Sequence, residues 1–269
     1  MAALFSVMSL TDILLISLSG LVAGFLNAVS GGGAVLTVPA LILIGLPPGV
    51  ANGTNRLAVV LQSLTALAAY KKLKQTDSGL AITLMIPAML GSVCGALVSV
   101  RLDDAVFQTL LAITMMVLLI PVVFEPVLNS RLLAVSETDR GRRLLQVVFF
   151  GIGLYGGLLQ IGAGIFILVA LSTMGGLNLM LANGVKVVIV MGVTGIACCV
   201  FALNGKVDWS AGLILSITTS IGAWFGAHWG VSRGEGWIRT VLAGTIVVMA
   251  FQLLGVWEGL RPLVALFRL

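Results

Sequence analysis

The sequence predicts an all-α polytopic membrane protein made of two tandem repeats of inverted topology, with broken or re-entrant helices at Gly-rich motifs. Composition, segment length and internal repetition point there independently. Of the 269 residues, 59% are hydrophobic and 9% are charged, against roughly 25% charged in a soluble domain. So few polar side chains cannot cover a water-facing surface. Apolar segments run over 10–29, 34–47, 50–70, 80–100 and 105–124, then over 144–161, 164–181, 183–203, 210–231 and 238–256. Most reach the ~20 residues that a spanning helix needs, whereas the stretches after Gly33 and Gly164 are short or interrupted.

The repetition is visible under one fixed shift. Gly20 falls on Gly151, Gly31 on Gly162, Gly33 on Gly164 and Gly45 on Gly176, and the "ANG" of Ala51–Gly53 falls on that of Ala182–Gly184. Asp77 then falls on Asp208, Gly91 on Gly222 and Gly95 on Gly226, with no gap. The expected division is a first transmembrane repeat over 1–128, a cytoplasmic linker over 129–143 ("NSRLLAVSETDRGRR") and a second repeat over 144–269.

Loop charge bears on orientation. Lys71, Lys72 and Lys74 follow the third segment, while the equivalent loop near Lys206 and Asp208 is neutral; the next pair reverses, with Arg101, Asp103 and Asp104 against Arg233, Glu235 and Arg239. A bias that swaps sides between equivalent loops fits opposite orientations, with the 71–78 loop and the linker in the cytoplasm. An odd number of crossings per half gives the same result. If Gly31–Gly33 only bends one long helix, the number is even and the repeats are parallel.

The remaining general features are few. The N-terminus, "MAALFSVMSLTD", has neither a basic n-region nor a small-residue cleavage site, so no removable signal peptide is expected. Net charge is +5, and most of it serves orientation. Trp209, Trp237 and Trp257 fall near segment ends as interface anchors. Cys94, Cys198 and Cys199 lack metal-ligand spacing and read as small packing residues.

Chemistry concentrates at the interruptions. Three glycines in a row, Gly31, Gly32 and Gly33 in "NAVSGGGAVLTVP", cost a helix about 1 kcal/mol each relative to alanine. "QIGAG", with Gln160, Gly162 and Gly164, is the counterpart. Broken helices at membrane depth expose N–H groups, and the positive end of a half-helix attracts an anion. The alternative is tight helix packing through small residues.

"ANGTNR" and "ANGVK" open the next segment in each half, where Asn and Thr suit helix N-caps. Each motif carries a cation before an apolar run, Arg56 and Lys186, with no evident intramembrane carboxylate. An intramembrane charge is a functional hypothesis by default, with a snorkelling interface residue as the alternative. Asn52, Thr54, Asn55, Asn183 and Gly184 belong to the same motifs, and Gln62 and Ser63 continue the first helix, with Thr194 a weaker counterpart in the second.

His228, the one histidine, is a weak proton-relay candidate, and Asp77 and Asp208 suit helix caps. "GIGLYG" (Gly151–Gly156) matches a dinucleotide fingerprint but follows no strand. No nucleophile–base pair, metal-ligand cluster or P-loop occurs. An enzyme, an ATP-driven pump, a cofactor, a bound metal and a nucleic-acid partner are therefore not expected.

At these motifs the sequence resembles the sulfite exporter TauE/SafE family, also called the 4-toluene sulfonate uptake permease family. The resemblance rests on "VSGGGAVLTVPALILIGLPPGVANGT" (Val29–Thr54), its degraded second copy "QIGAGIFILVALSTMGGLNLMLANGV", then "NGKVDW" and "GAWFGAHWG". Ala163 and Ala170 depart from the pattern, as do Asn55 and Arg56 after Thr54. The resemblance implies a secondary transporter of small sulfur-containing anions such as sulfite, sulfonates or sulfoacetate, coupled to the proton gradient in a bacterial cytoplasmic (inner) membrane. The expected site lies between the halves at the glycine breaks, with the lipid bilayer and a homodimer as further partners. A passive anion channel on the same scaffold is the alternative.

Overall fold

The computed structural model describes residues 8–74, 76–110, 113–114, 139–233, 237 and 240–241. The first half supplies α1 (Leu10–Val29), α2 (Ala34–Leu43), α3 (Pro48–Lys72) and α4 (Ser78–Ser99). The second supplies α5 (Asp139–Leu158), α6 (Ala163–Thr173), α7 (Leu179–Leu203) and α8 (Trp209–Arg233). A helical stretch also covers 104–110, and no strand occurs among the described residues. Most of the expected fifth segment of each half, linker residues 129–138 and Trp257 lie outside the described residues. The polar residues 139–143 begin α5 instead of ending a loop.

Among the described residues, four helices are long and apolar enough to cross a membrane: α1, α4, α7 and Trp209–Gly230 of α8. α3 and α5 have 25 and 20 residues, long enough at 1.5 Å per residue, but carry the polar motifs and the arginine cluster. α2 and α6, with 10 and 11 residues, are about 15–17 Å long and reach only halfway across.

Side chains fix the helix starts. Ser9 and Asp12 form a capping box on α1, Asp77 Oδ1 accepts the Leu80 N–H at 3.0 Å, and Asp208 Oδ1 accepts the Ala211 N–H at 2.9 Å. The "ANG" motifs, however, do not cap their helices. α3 already starts at Pro48, and Asn178 caps α7 through the Leu181 N–H at 2.9 Å. Proline at the first helical position has no N–H to satisfy, so the start moves upstream. Ala51–Arg56 and Ala182–Lys186 therefore sit on the first turns inside the bundle.

Contacts between small residues set the directions of the helices. A Cβ on Gly20 would meet Thr218, one on Gly24 would meet the Thr219 backbone, and one on Gly226 would meet Phe25 and Ala28. Numbers rise together, so α1 and α8 run parallel. The same holds for α4 and α5, where Gly153 abuts Ala88 and Gly157 abuts Ser92. α3 follows α8, with Thr54 bonded to Asp208 and Tyr70 near Gly230. α7 follows α4, with Gly192 against Met85 and Ser92 Oγ donating to Val193 O at 2.7 Å. A five-residue turn returns α3 into α4, so α1, α3 and α8 oppose α4, α5 and α7.

The outward faces are apolar. Leu10, Leu14, Leu18 and Val22 form one exposed stripe on α1, as do Ile82, Ile86 and Leu90 on α4 and Leu213, Ile217 and Ile221 on α8. In water such stripes are costly, while in lipid they are the required surface. Cys94 and Cys199 are free and face outward with them, not inward as packing residues.

Candidate anion-binding site

Each half breaks one helix, and the two breaks touch. Gly31 has φ +86° and Gly162 φ +71°, a left-handed conformation that glycine adopts without a side-chain clash. A Cβ on Gly31 would lie 2.5 Å from Gly164 C, and one on Gly164 would lie 2.6 Å from Gly31 Cα. The crossing admits no side chain at either position. Gly33 is held by its N–H, which donates to Asn27 Oδ1 at 2.8 Å.

A helix that ends inside the bundle leaves carbonyls that water does not reach, and these need donors. The opposite half supplies most of them, and Tyr70 and Tyr155 supply two from within their own halves. Arg56 donates from Nη1 to Gly156 O at 3.0 Å and from Nη2 to Gly157 O at 2.6 Å, near the end of α5. Asn52 Nδ2 and Ser99 Oγ donate to Leu158 O at 3.2 and 2.8 Å, and Tyr155 donates to Ile161 O. At the end of α1, Lys186 Nζ donates to Asn27 O at 3.0 Å and Ala28 O at 3.2 Å, while Tyr70 donates to Ala28 O at 3.0 Å. Each cation thus meets the negative end of the other half's helix dipole.

The two cations are not equivalent in their surroundings. Arg56 is fully buried, with its guanidinium 4.5 Å from the Phe201 ring centroid. Lys186, 1% exposed, completes its shell with Asn183 Oδ1 at 2.5 Å and borders a cavity of about 40 Å³ beside the crossing. By a measure in which one water needs ~10–15 Å³, that space takes a few waters or a small oxyanion. All partners given to either cation among the described residues are neutral.

Of the residues singled out in the sequence, Gly31, Gln62, Ser63, Gln160, Gly164 and Lys186 line this cavity, together with Thr194. Gln62 Oε1 and both amide atoms of Gln160 are buried without a partner. Gln160 also has φ +66°, uncommon for a residue with a side chain. The others support the lining from behind. Asn183 orients Lys186, Asn52 and Arg56 hold the end of α5, Thr37 donates to Asn55 at 2.6 Å, and Thr54 accepts the Asp208 N–H at 2.8 Å. Gly32, Gly33, Gly162 and Gly184 are buried but do not line the cavity. His228 lies away from it, half-buried on α8 against the Trp224 ring, with Nδ1 2.8 Å from Trp224 O.

Asn27 is the functional residue that sequence reasoning left without a role. It lines the cavity, holds the Gly33 N–H and gives its carbonyl to Lys186. Its position immediately before a glycine break, where an Asn side chain caps exposed N–H groups, was the available signal.

The chain is similar to known proteins along most of its length. A probable membrane transporter protein of Haemophilus influenzae is 28% identical over 87% of this chain and 89% of its own. The probable membrane transporter protein ORF9 of a Sinorhizobium species is 25% identical over 87% and 88%. The probable membrane transporter protein YfcA of Escherichia coli K12 is 30% identical over 87% and 86%. No solved structure matches. The sulfite exporter TauE/SafE profile covers residues 16–253. With that match and its apolar spanning helices, this integral membrane transporter belongs to the sulfite exporter TauE/SafE family.

Proposed function

We propose that the chain is a secondary transporter of small sulfur-containing anions such as sulfite, sulfonates or sulfoacetate, coupled to the proton gradient. The cavity beside the Gly31–Gly164 crossing carries the reading, because among the described residues it holds a buried cation with only neutral partners and three unpartnered amide atoms. Lys186 supplies the charge, Gln62, Gln160 and Ser63 supply hydrogen bonds, and Arg56 keeps α5 in place. An anion there neutralises the charge that the protein leaves uncompensated.

The two halves, 1–128 and 144–269, are proposed to be inverted repeats rocking about this crossing. The opposed directions of α1 and α5, α3 and α7, and α4 and α8 support that reading. Lys71, Lys72, Lys74, Arg140, Arg142, Arg143 and Arg233, with Asp77 and Asp139, fall at one end of the bundle by these directions, and Asp12, Asp103, Asp104 and Asp208, with Arg101 and Lys206, at the other, so the first end is the more positive. The positive-inside rule then assigns the first end to the cytoplasm. The relatives' bacterial sources support the cytoplasmic (inner) membrane.

Purified protein in proteoliposomes tests the function. A proton gradient is expected to drive accumulation of labelled sulfite or sulfonate, a protonophore to abolish it, and Lys186→Ala to reduce it at least tenfold. Full transport by Lys186→Ala removes the proposed site. A passive anion channel is favoured by one observation, the absence of a carboxylate among the described cavity residues. Accumulation against the anion's own gradient excludes it.

A further inference from the structure

The orphaned amides say something about the ligand beyond its negative charge. Gln160 is 6% exposed and Gln62 3% exposed, both line the cavity, and Gln160 has neither amide atom paired. Whichever way the Gln160 amide is turned, one acceptor oxygen and one NH₂ group await partners. Gln62 adds one more unpartnered amide atom. Lys186 is the one titratable side chain presented to the cavity by the described residues of α1, α2, α3 and α5–α8, and Arg56 stands behind Gly156.

A fully ionised oxyanion offers acceptors alone. The Lys186 charge attracts it, although the three ammonium N–H groups already go to Asn27 O, Ala28 O and Asn183 Oδ1; it can pair with amide N–H groups, but the amide oxygens are then left buried against negative oxygen. An oxyanion that keeps one O–H matches both kinds of partner: its charged oxygens face Lys186 and the Gln160 NH₂, and its O–H donates to an amide oxygen. Sites built around a ligand hydroxyl discriminate strongly against the analogue that lacks it, because their polar groups are otherwise left unpaired.

Resting on the anion-transport reading above, and selecting sulfite over sulfonates within it, we infer that the cavity takes a monoprotonated oxyanion, recognised by the Gln62 and Gln160 amides, and that the coupled proton crosses on the ligand. The O–H bond stays intact through transport and ionises in water on the far side, releasing one proton for each anion. No side chain changes charge.

The test is equilibrium binding to the purified full chain, with inorganic sulfite titrated across its second ionisation and methanesulfonate as an anion without a titrating proton. Expected is an apparent Kd for total sulfite that rises about tenfold per pH unit above that ionisation, as the competent fraction falls, with a Kd for methanesulfonate that is weaker than that for the protonated sulfite and flat with pH. Gln160→Gly, which suits the left-handed backbone, and Gln62→Leu are each expected to reduce this preference at least threefold. Sulfite affinity that is constant or increases with pH overturns the inference while leaving anion transport standing. A parallel loss of methanesulfonate affinity also overturns it, because the pH dependence then belongs to Lys186. Binding of neither anion removes the anion-transport reading itself and the inference with it.

Discussion

Arg56 and Lys186 occupy nearly equivalent places in the two halves, yet only Lys186 reaches the cavity. The sequence showed two intramembrane cations without carboxylate partners, for which the two readings were an anion site and a snorkelling interface residue. Both turn out to hold carbonyls at helix ends, and the rotamer and crossing geometry that decide this are tertiary. Arg56→Ala leaves Gly156 O and Gly157 O without donors, at about 1–3 kcal/mol for each buried group. Its melting midpoint in detergent is expected to fall by several degrees, while saturating sulfite still raises it. Lys186→Ala is expected to lose the sulfite-induced rise, which in the wild type amounts to about 2.7 kcal/mol at a hundredfold excess over Kd. A ligand-induced rise that survives in Lys186→Ala contradicts the assignment. Gln160 was legible as a polar residue in a glycine run. Its left-handed backbone and unpaired amide were not, because they follow from where the chain turns.

At the scale of the element, the glycines separate into positions that need space and positions that do not. Gly151 and Gly153 stand two residues apart in the discarded "GIGLYG" motif, yet a Cβ on Gly151 meets nothing within 4 Å, while one on Gly153 would lie 1.9 Å from Ala88 O. Gly151→Ala is therefore expected to be neutral or to stabilise α5 by up to about 1 kcal/mol. Gly153→Ala is expected to force α4 and α5 apart and lower the melting midpoint markedly. Gly31→Ala and Gly164→Ala act on the crossing itself and are expected to abolish transport even where the protein still inserts. The repeat shift revealed Gly31, Gly151 and Gly164 through their counterparts Gly162, Gly20 and Gly33, but not Gly153, which falls on Val22; the caps Asp77 and Asp208 were readable as well. The "ANG" motifs were misread as caps because Asn and Thr have that propensity locally. Pro48 and Asn178 start the helices earlier, and burial gives one atom of each motif amide another partner while Asn52 Oδ1, Asn55 Nδ2 and Asn183 Nδ2 stay unpaired.

For the whole molecule, the reversed directions of α3 and α7 place the turn after Lys72 and the turn after Leu203 at opposite ends of the bundle. In a background free of Cys94, Cys198 and Cys199, Lys71→Cys is expected to react with a membrane-impermeant maleimide only from the cytoplasmic side. Asn204→Cys is expected to react only from the other. Labelling of both from one side refutes inverted repeats. The sequence by itself determined that the chain is a membrane protein and where its helices break, and its glycine spacing is what suggested a duplication. Composition, spacing and glycine periodicity are local properties, and any fold of this chain must respect them. Only the tertiary structure decided that the two breaks meet, that Arg56 is spent on a helix end, and that Lys186, Gln62 and Gln160 share one cavity. Those outcomes depend on contacts between residues some 100 to 160 positions apart, and each is settled by which buried polar groups find partners.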